Sequence, residues 1–305
     1  MKSCNVKNGY AITDVKSHIK KTVSQKVMDI TFKTLEKTDF SELVVAFNLA
    51  FENYFVEITV NEEQLKGKFK VDNTKLEFSV GAFHNDTLVG FIFHGIDEFN
   101  NTLVAYNGGT GVIPAYRGLK LTSRMYSHIL PVLKVAGITK SVLEVITLNT
   151  NAIKIYEKVG FNIIRKVDCY KGAFKSINKY EYRLSHSALA GQKLESLWEI
   201  KPTWQSSTNS VKRHESSIIT LSVMIENQAV GYLIMNTGGK VLQFSVDKTH
   251  RNKGIASCLF LKAMEQKNIL MVYNVDENYK DVASFLKKGG LVHILSQYEM
   301  ELYIN

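Results

Sequence analysis

Three cysteines in 305 residues (Cys4, Cys169 and Cys258) are too few and too widely separated for a disulfide framework or a structural zinc site, and no Cys-x-x-Cys occurs. A reducing, cytoplasmic setting fits that usage. The eight histidines are scattered, with no His-x-x-x-His and no mixed Cys/His cluster, so no metal is expected. No apolar run reaches the ~18 residues that a membrane span needs. The first residues, Met1-Lys2-Ser3-Cys4-Asn5-Val6-Lys7, lack the apolar segment of a secretion signal. Neither Gly-x-Ser-x-Gly nor a Walker-type loop is present.

What is there is a chain long enough for two domains, with 45% hydrophobic residues to fill their cores. The formal net charge of +9 raises the question of nucleic acid. Residues 1–27 hold six lysines and one acid, so +5 of that charge belongs to them. The remainder is only mildly basic, whereas a surface that tracks phosphates needs clustered charge. Residues 1–27 therefore read as a flexible, solvated leader with Met28 as an alternative start, and no nucleic-acid partner is expected.

After the leader the pattern is strand (30–35), helix (from Thr38 or Asp39 through Leu43, Phe47 and Ala50) and a second short helix from Asn61. Strands follow at 76–83, 88–94 and 102–113, the last interrupted by Gly108-Gly109-Thr110-Gly111, which predicts a bulge. A helix on Leu121, Met125, Ile129 and Leu133, bent by Pro131, leads to a strand at 141–147, a helix on Ala152, Ile155, Tyr156 and Val159, and a strand at 161–168. Residues 171–215 are polar and irregular, with Trp198, Pro202 and Trp204 as anchors, and read as a connection between domains. Then the pattern restarts: strands at 218–225, 229–235 and 241–246, a helix from about Lys253 to Lys267, a strand at 269–275, a helix at 281–288 and a strand at 291–303. Arg117 recurs as Arg251 and Gly160 as Gly290, offsets of 134 and 130 residues. The second copy shows no clear counterpart of the opening strand and first two helices.

Each copy carries a strand that runs through a basic, glycine-containing loop into a helix. In the first it is Gly111-Val112-Ile113, then Arg117-Gly118-Leu119-Lys120-Leu121-Thr122. In the second it is Val246, then Arg251-Asn252-Lys253-Gly254-Ile255-Ala256. A helix N-terminus offers several N–H groups pointing one way and a favourable dipole, and glycine lets the backbone approach an anion closely. The first loop departs from that ideal, with Lys120 and Thr122 where small residues are usual. Behind it stand Asn149, Ala152, Tyr156, Gly160 and Phe161. Together these motifs resemble the GNAT superfamily of N-acetyltransferases, closely over residues 28–170 and more loosely over 216–305.

The resemblance implies an α/β fold of two GNAT-like domains, each a twisted mixed sheet flanked by helices. It implies acetyl-CoA as co-substrate, held by both loops and Asn149, and a primary amine as acceptor, either a small molecule or a protein N-terminus. Tyr156 falls at the family's acid position, and a tyrosine at pKa ~10 can protonate a departing thiolate at ~8.5. Leu143-Glu144-Val145 with Asn149 and Tyr156 resembles the ribosomal-protein N-terminal acetyltransferases, where the glutamate is the base. Asn149 has a second reading, as a cap on the following helix. In the second copy Glu144 becomes Asn274 and Tyr156 becomes Leu286, so catalysis is expected at 28–170 and not at 216–305. Two alternatives stand: an acyl-CoA-binding pseudoenzyme that uses the second loop, and catalysis in the second domain through another acid.

Overall fold

Asn61 opens the second helix through a reciprocal cap, its side chain accepting from the Gln64 N–H while Gln64 accepts from the Asn61 N–H. Such local signals set most element boundaries in the computed structural model, which describes residues 29–99, 101–176, 181–185, 194–214 and 217–304. The leader at 1–27, Met28 and Cys4 lie outside the described residues. The first copy comprises β1 (Ile30–Thr34), α1 (Phe40–Ala50), α2 (Glu62–Asp72), β2 (Val80–His84), β3 (Thr87–Phe99), β4 (Thr102–Val112), α3 (Leu121–Val135), β5 (Lys140–Ile146), α4 (Thr150–Val159) and β6 (Asn162–Gly172). Then come β7 (Leu184–Ser185), α5 (Thr208–Arg213), β8 (Ile218–Ile225), β9 (Gln228–Asn236), β10 (Lys240–Val246), α6 (Ile255–Met264), β11 (Leu270–Asp276), α7 (Lys280–Lys288) and β12 (Val292–Tyr303).

The strands form one sheet in the order β1-β2-β3-β4-β5-β12-β6-β11-β10-β9-β8-β7. That order is a palindrome about its centre, and the last strand of each copy has crossed over. β12 pairs with β5 of the first copy, and β6 pairs with β11 of the second, both antiparallel. Val167 and Gln297, equivalent under the 130-residue repeat, face each other where β6 and β12 pair, so a local pseudo-twofold axis passes there. The second copy does have a counterpart of the opening strand: two-residue β7 pairs with β8 as β1 pairs with β2. The alternating run at 76–83 is a strand only from Val80. At Leu76–Phe78 the chain turns as a 3-10 helix, because the Leu35 N–H draws the Leu76 and Ser79 carbonyls around it. Pro131 lies inside α3 without ending it.

One face of the first half-sheet packs on α3 and α4 through Met125, Ile129, Leu143, Val145 and Ile153, joined by Met300 and Leu302 from β12. The other face is covered by α1 and α2 through Leu43, Phe47, Leu65 and Phe69. A third core unites α6 and α7 with β8–β11. The connection between the copies is packed. The Trp204 ring stacks on Tyr106 with centroids 5.0 Å apart, and its indole N–H donates to the Asp72 carbonyl at 3.1 Å. The Trp198 indole N–H donates to the Tyr232 hydroxyl at 2.6 Å.

Candidate active site

β4 and β5 run parallel and pair only where Val104–Tyr106 meets Lys140–Val142; beyond Tyr106 they part. The glycine run explains the parting. Opposite β3 the register slips between Asn107 and Gly109, leaving Gly108 unopposed, which is the bulge the sequence predicts. The Asn107 side-chain oxygen fixes it by accepting from the Gly109 N–H and the Thr110 hydroxyl, both at 3.1 Å. The Ile113 N–H donates to the Val89 carbonyl. By the alternation of an antiparallel ladder, the Gly111 N–H also faces β3, while those of Thr110 and Val112 turn toward the opened side. Val112 thus turns its N–H to the opened wedge and Gly111 does not. Gly111 matters for its missing side chain, since a Cβ there would overlap the Phe91 ring and the Ala50 methyl.

β4 leads through Ile113 and a short 3-10 turn into the first loop. Arg117 folds back, donating from Nε to the Val112 carbonyl at 3.2 Å and from Nη2 to the Ala50 carbonyl at 3.0 Å. Gly118 and Lys120 both have left-handed backbones (φ 82° and 57°). In the second loop Asn252 and Gly254 take the same two places (φ 60° and 84°), and Arg251 Nε donates to the Val246 carbonyl at 3.1 Å. Lys120 therefore stands where the conformation favours glycine, a strain of about 1 kcal/mol or more. Neither α3 nor α6 has a capping side chain or an acid in its first turn, so both N-termini keep free donors.

Glu144, Tyr156, Asn149, Gly111, Val112, Arg117 and Thr122 all line one cavity of about 1310 Å³. Glu144 and Tyr156 reach it from opposite faces of the sheet. On β5, Leu143 and Val145 point into the core under α3 and α4, so Glu144 points the other way. There the Tyr106 hydroxyl donates to Glu144 Oε2 at 2.7 Å. Burial pushes the Glu144 carboxyl up to about 7, the facing Glu299 and Asp72 carboxylates add to this, and hydrogen bonds from Tyr106 and Thr203 oppose it. Tyr156 lies on α4, its ring 8% exposed and packed edge-on to Tyr126 and Phe161. Its hydroxyl meets Thr110 and Asn107, beside the bulge. Burial raises it to about 12, those hydrogen bonds opposing and the nearby Tyr54 adding. Asn149 caps α4, accepting from the Ala152 N–H at 3.2 Å, and its amide donates to the Tyr54 hydroxyl at 3.4 Å.

The second copy repeats the opened wedge: β10 and β11 pair only at Lys240–Val241 with Met271–Val272. A smaller cavity of about 450 Å³ lies there, lined by Val246 and the loop residues Arg251, Asn252, Gly254, Ile255 and Ala256. Lys253 does not line it; its carbonyl accepts from the Tyr182 hydroxyl at 2.6 Å. Arg251 and the preceding Lys248 are both engaged by the connection, through Glu199. Leu286 is fully buried where the first copy has Tyr156. Asn274, opposite number of Glu144, donates to Thr203 Oγ1 at 2.9 Å. His250, beside Arg251, contacts Asp247 and Thr249. Among the described residues, no group of three His, Cys, Asp or Glu side chains could hold a metal ion, and no helix is long and apolar enough to cross a membrane.

Several residues that shape the site carry no local signal. Asn107 and Tyr126 hold one another at 2.7 Å behind the bulge, and only the neighbouring glycines hinted at that arrangement. Thr203 and Gln205 reach the site because Trp204 anchors the connection on Tyr106. Lys240, Tyr273 and Gln297 come from the other copy, through the crossed strands and the wedge.

Residues 43–161 match the model of the Acetyltransferase (GNAT) family. A probable N-acetyltransferase, san, of Drosophila melanogaster is 31% identical over 105 residues, 34% of this chain and 57% of that protein. N-alpha-acetyltransferase 50 of Danio rerio is 33% identical over 92 residues, 30% of this chain and 55% of that protein. The chain thus spans little more than half the length of these relatives. A tandem GNAT protein from the clavulanic acid biosynthesis pathway shares the fold over 90% of this chain and 99% of its own, at a TM-score of 0.67 and 12% identity. With one wedge per copy and a shared loop geometry, the first copy matches the Acetyltransferase (GNAT) family over residues 43–161, and the chain as a whole has a tandem GNAT fold.

Proposed function

We propose that the first copy transfers an acetyl group from acetyl-CoA directly to a primary amine, and that the second copy does not. The observation that carries this is the convergence of Glu144 and Tyr156, from opposite faces, on the one cavity bounded by the first loop. The loop N–H groups of α3 and the Arg117 side would hold the pyrophosphate. The N–H groups of Thr110 and Val112, turned to the opened side, would bind the acyl arm and its developing oxyanion. Glu144, ionised above about pH 7, takes the amine proton. The amine nitrogen bonds to the acetyl carbon, the carbon–sulfur bond breaks, and the Tyr156 hydroxyl gives its proton to the thiolate. At a pKa of about 12, Tyr156 enters the reaction protonated across the working range, so the proton is there to give as the carbon–sulfur bond breaks. In the second copy Leu286 has no proton to give and Asn274 cannot accept one at neutral pH.

A panel of amines offered with acetyl-CoA, read by thiol release and by mass of the acetylated product, tests the reading. Amine-dependent thiol release is the expected result. Hydrolysis at the same rate without amine would overturn it.

A further inference from the structure

The mechanism leaves one charged group in the cavity unused. Lys240 opens β10 in the second copy, yet its side chain lines the cavity of the first. Its ammonium donates to Gln205 Oε1 at 3.0 Å and lies over the Tyr273 ring, 5.1 Å from the centroid. No acid pairs with it among the described residues, and two of its three N–H donors have no protein acceptor there. Its charged lining neighbours are accounted for: Lys68 is paired with Asp72, Arg213 with Asp97, and Glu144 accepts from Tyr106. His214 and Lys70 line the same end, with burial and the neighbouring Lys240 lowering the His214 pKa. Burial lowers the Lys240 pKa and Lys68 adds to this, while the Asp72 and Glu144 carboxylates oppose it.

This group is far from the phosphate loop. Lys240 sits at the Tyr106 end of β4, and Val112 lies six residues further along that strand, ~20 Å away at ~3.3 Å per residue. It therefore faces the acceptor rather than the cofactor's phosphates. It is also tied to the candidate base. Lys240 donates to Gln205, Gln205 donates to the Tyr106 hydroxyl, and Tyr106 donates to Glu144. That path is three hydrogen bonds and one amide group long, so the ammonium and the carboxylate lie within roughly 10 Å of each other.

We infer that the acceptor is a small amino acid, whose amine is delivered to Glu144 while its carboxylate is bound by Lys240 of the second copy. The inference rests on the acetyl-transfer reading of the same cavity. It gives the second copy a part in the reaction that needs no counterpart of Tyr156 or Glu144: it supplies the cation that selects the acceptor. An acceptor with one amine and one carboxylate, a few carbons apart, satisfies both ends of the relay. A polyamine would bring a second cation against Lys240, and a carboxamide would leave the ammonium unmatched.

The experiment measures acetyl-CoA-dependent acetylation by the full chain of matched pairs: glycine and glycinamide, β-alanine and β-alaninamide, L-alanine and L-alaninamide, with spermidine and an N-terminal peptide as further acceptors. The expected result is a kcat/KM about 10- to 100-fold higher for the acid of the best pair than for its amide, carried by KM. Lys240→Gln should abolish that preference, while Lys240→Arg restores part of it. Should Lys240→Gln fail to fold, the wild-type acid-to-amide ratio decides alone. Equal use of acids and amides, or preference for spermidine or the peptide, overturns the inference and leaves acetyl transfer standing. Thiol release with none of these amines, nor with the wider panel, overturns both.

Discussion

The two copies differ less in how they are built to hold a thioester ligand than in what stands beside it. Both have a wedge opened by a parting parallel pair, a loop with two left-handed residues, and an arginine folded onto the carbonyl of the last strand residue. Where the first has Tyr156 at the cavity and Glu144 below the strand, the second has a buried Leu286 and an Asn274 bound to Thr203. The second arginine, whose counterpart reaches the Ala50 carbonyl, is engaged by Glu199. Binding geometry comes from backbone shape, which many side chains support, so it survives sequence change. The proposed proton transfer depends on two particular side chains, and one substitution removes each.

Breaking the contrast at the base is expected to have the largest effect. Glu144→Gln should lower kcat/KM by about 10²–10⁴-fold. In the wild type kcat/KM should rise with pH and level off above about 7, because the burial-raised carboxyl must be ionised to accept a proton. The variant's profile should lose that limb, and retention of it would assign the ionisation to another group.

A smaller effect tests how far the copies are separate bodies. Met300 is fully buried in the first core although it comes from the end of the chain. Met300→Ala should cost about 2–5 kcal/mol, read as a shifted midpoint of denaturant unfolding. Because each copy holds the other's last strand, one cooperative transition should move. A first copy that kept its midpoint would show that β12 is dispensable to it.

The smallest effect concerns the loops. Lys120→Gly relieves a left-handed lysine, and the gain is partly offset by the freedom glycine has when unfolded, leaving about 0.5–1 kcal/mol of stabilisation. Thermal unfolding would detect it. A destabilised variant would mean that the Lys120 side chain makes contacts worth more than the strain.

Much of this was legible in local pattern. The glycines of 108–111 announced the bulge, the paired loops announced the repeat, and the motif through Asn149, Tyr156 and Phe161 placed the helix that carries Tyr156. The strand around Glu144 was readable, but the face it turns to is known only from the core that Leu143 and Val145 join. The crossing of β6 and β12 was not legible, because two strands of similar pattern can pair with either neighbour and periodicity does not name the partner. Lys240 stayed hidden for the same reason, since its place at the acceptor end exists only after the strands exchange and Trp204 has docked. The conformation of Lys120 was half legible: the departure from a small residue could be read, the left-handed backbone behind it could not.

The proposed transfer turns on the phenol of the first copy. The most direct measurement pairs steady-state turnover of Tyr156→Phe with calorimetry of coenzyme A binding to the same full-length variant. A fall in kcat of about 10²-fold or more, with coenzyme A affinity unchanged within about twofold, is the predicted result. Unchanged turnover with the hydroxyl gone would contradict it.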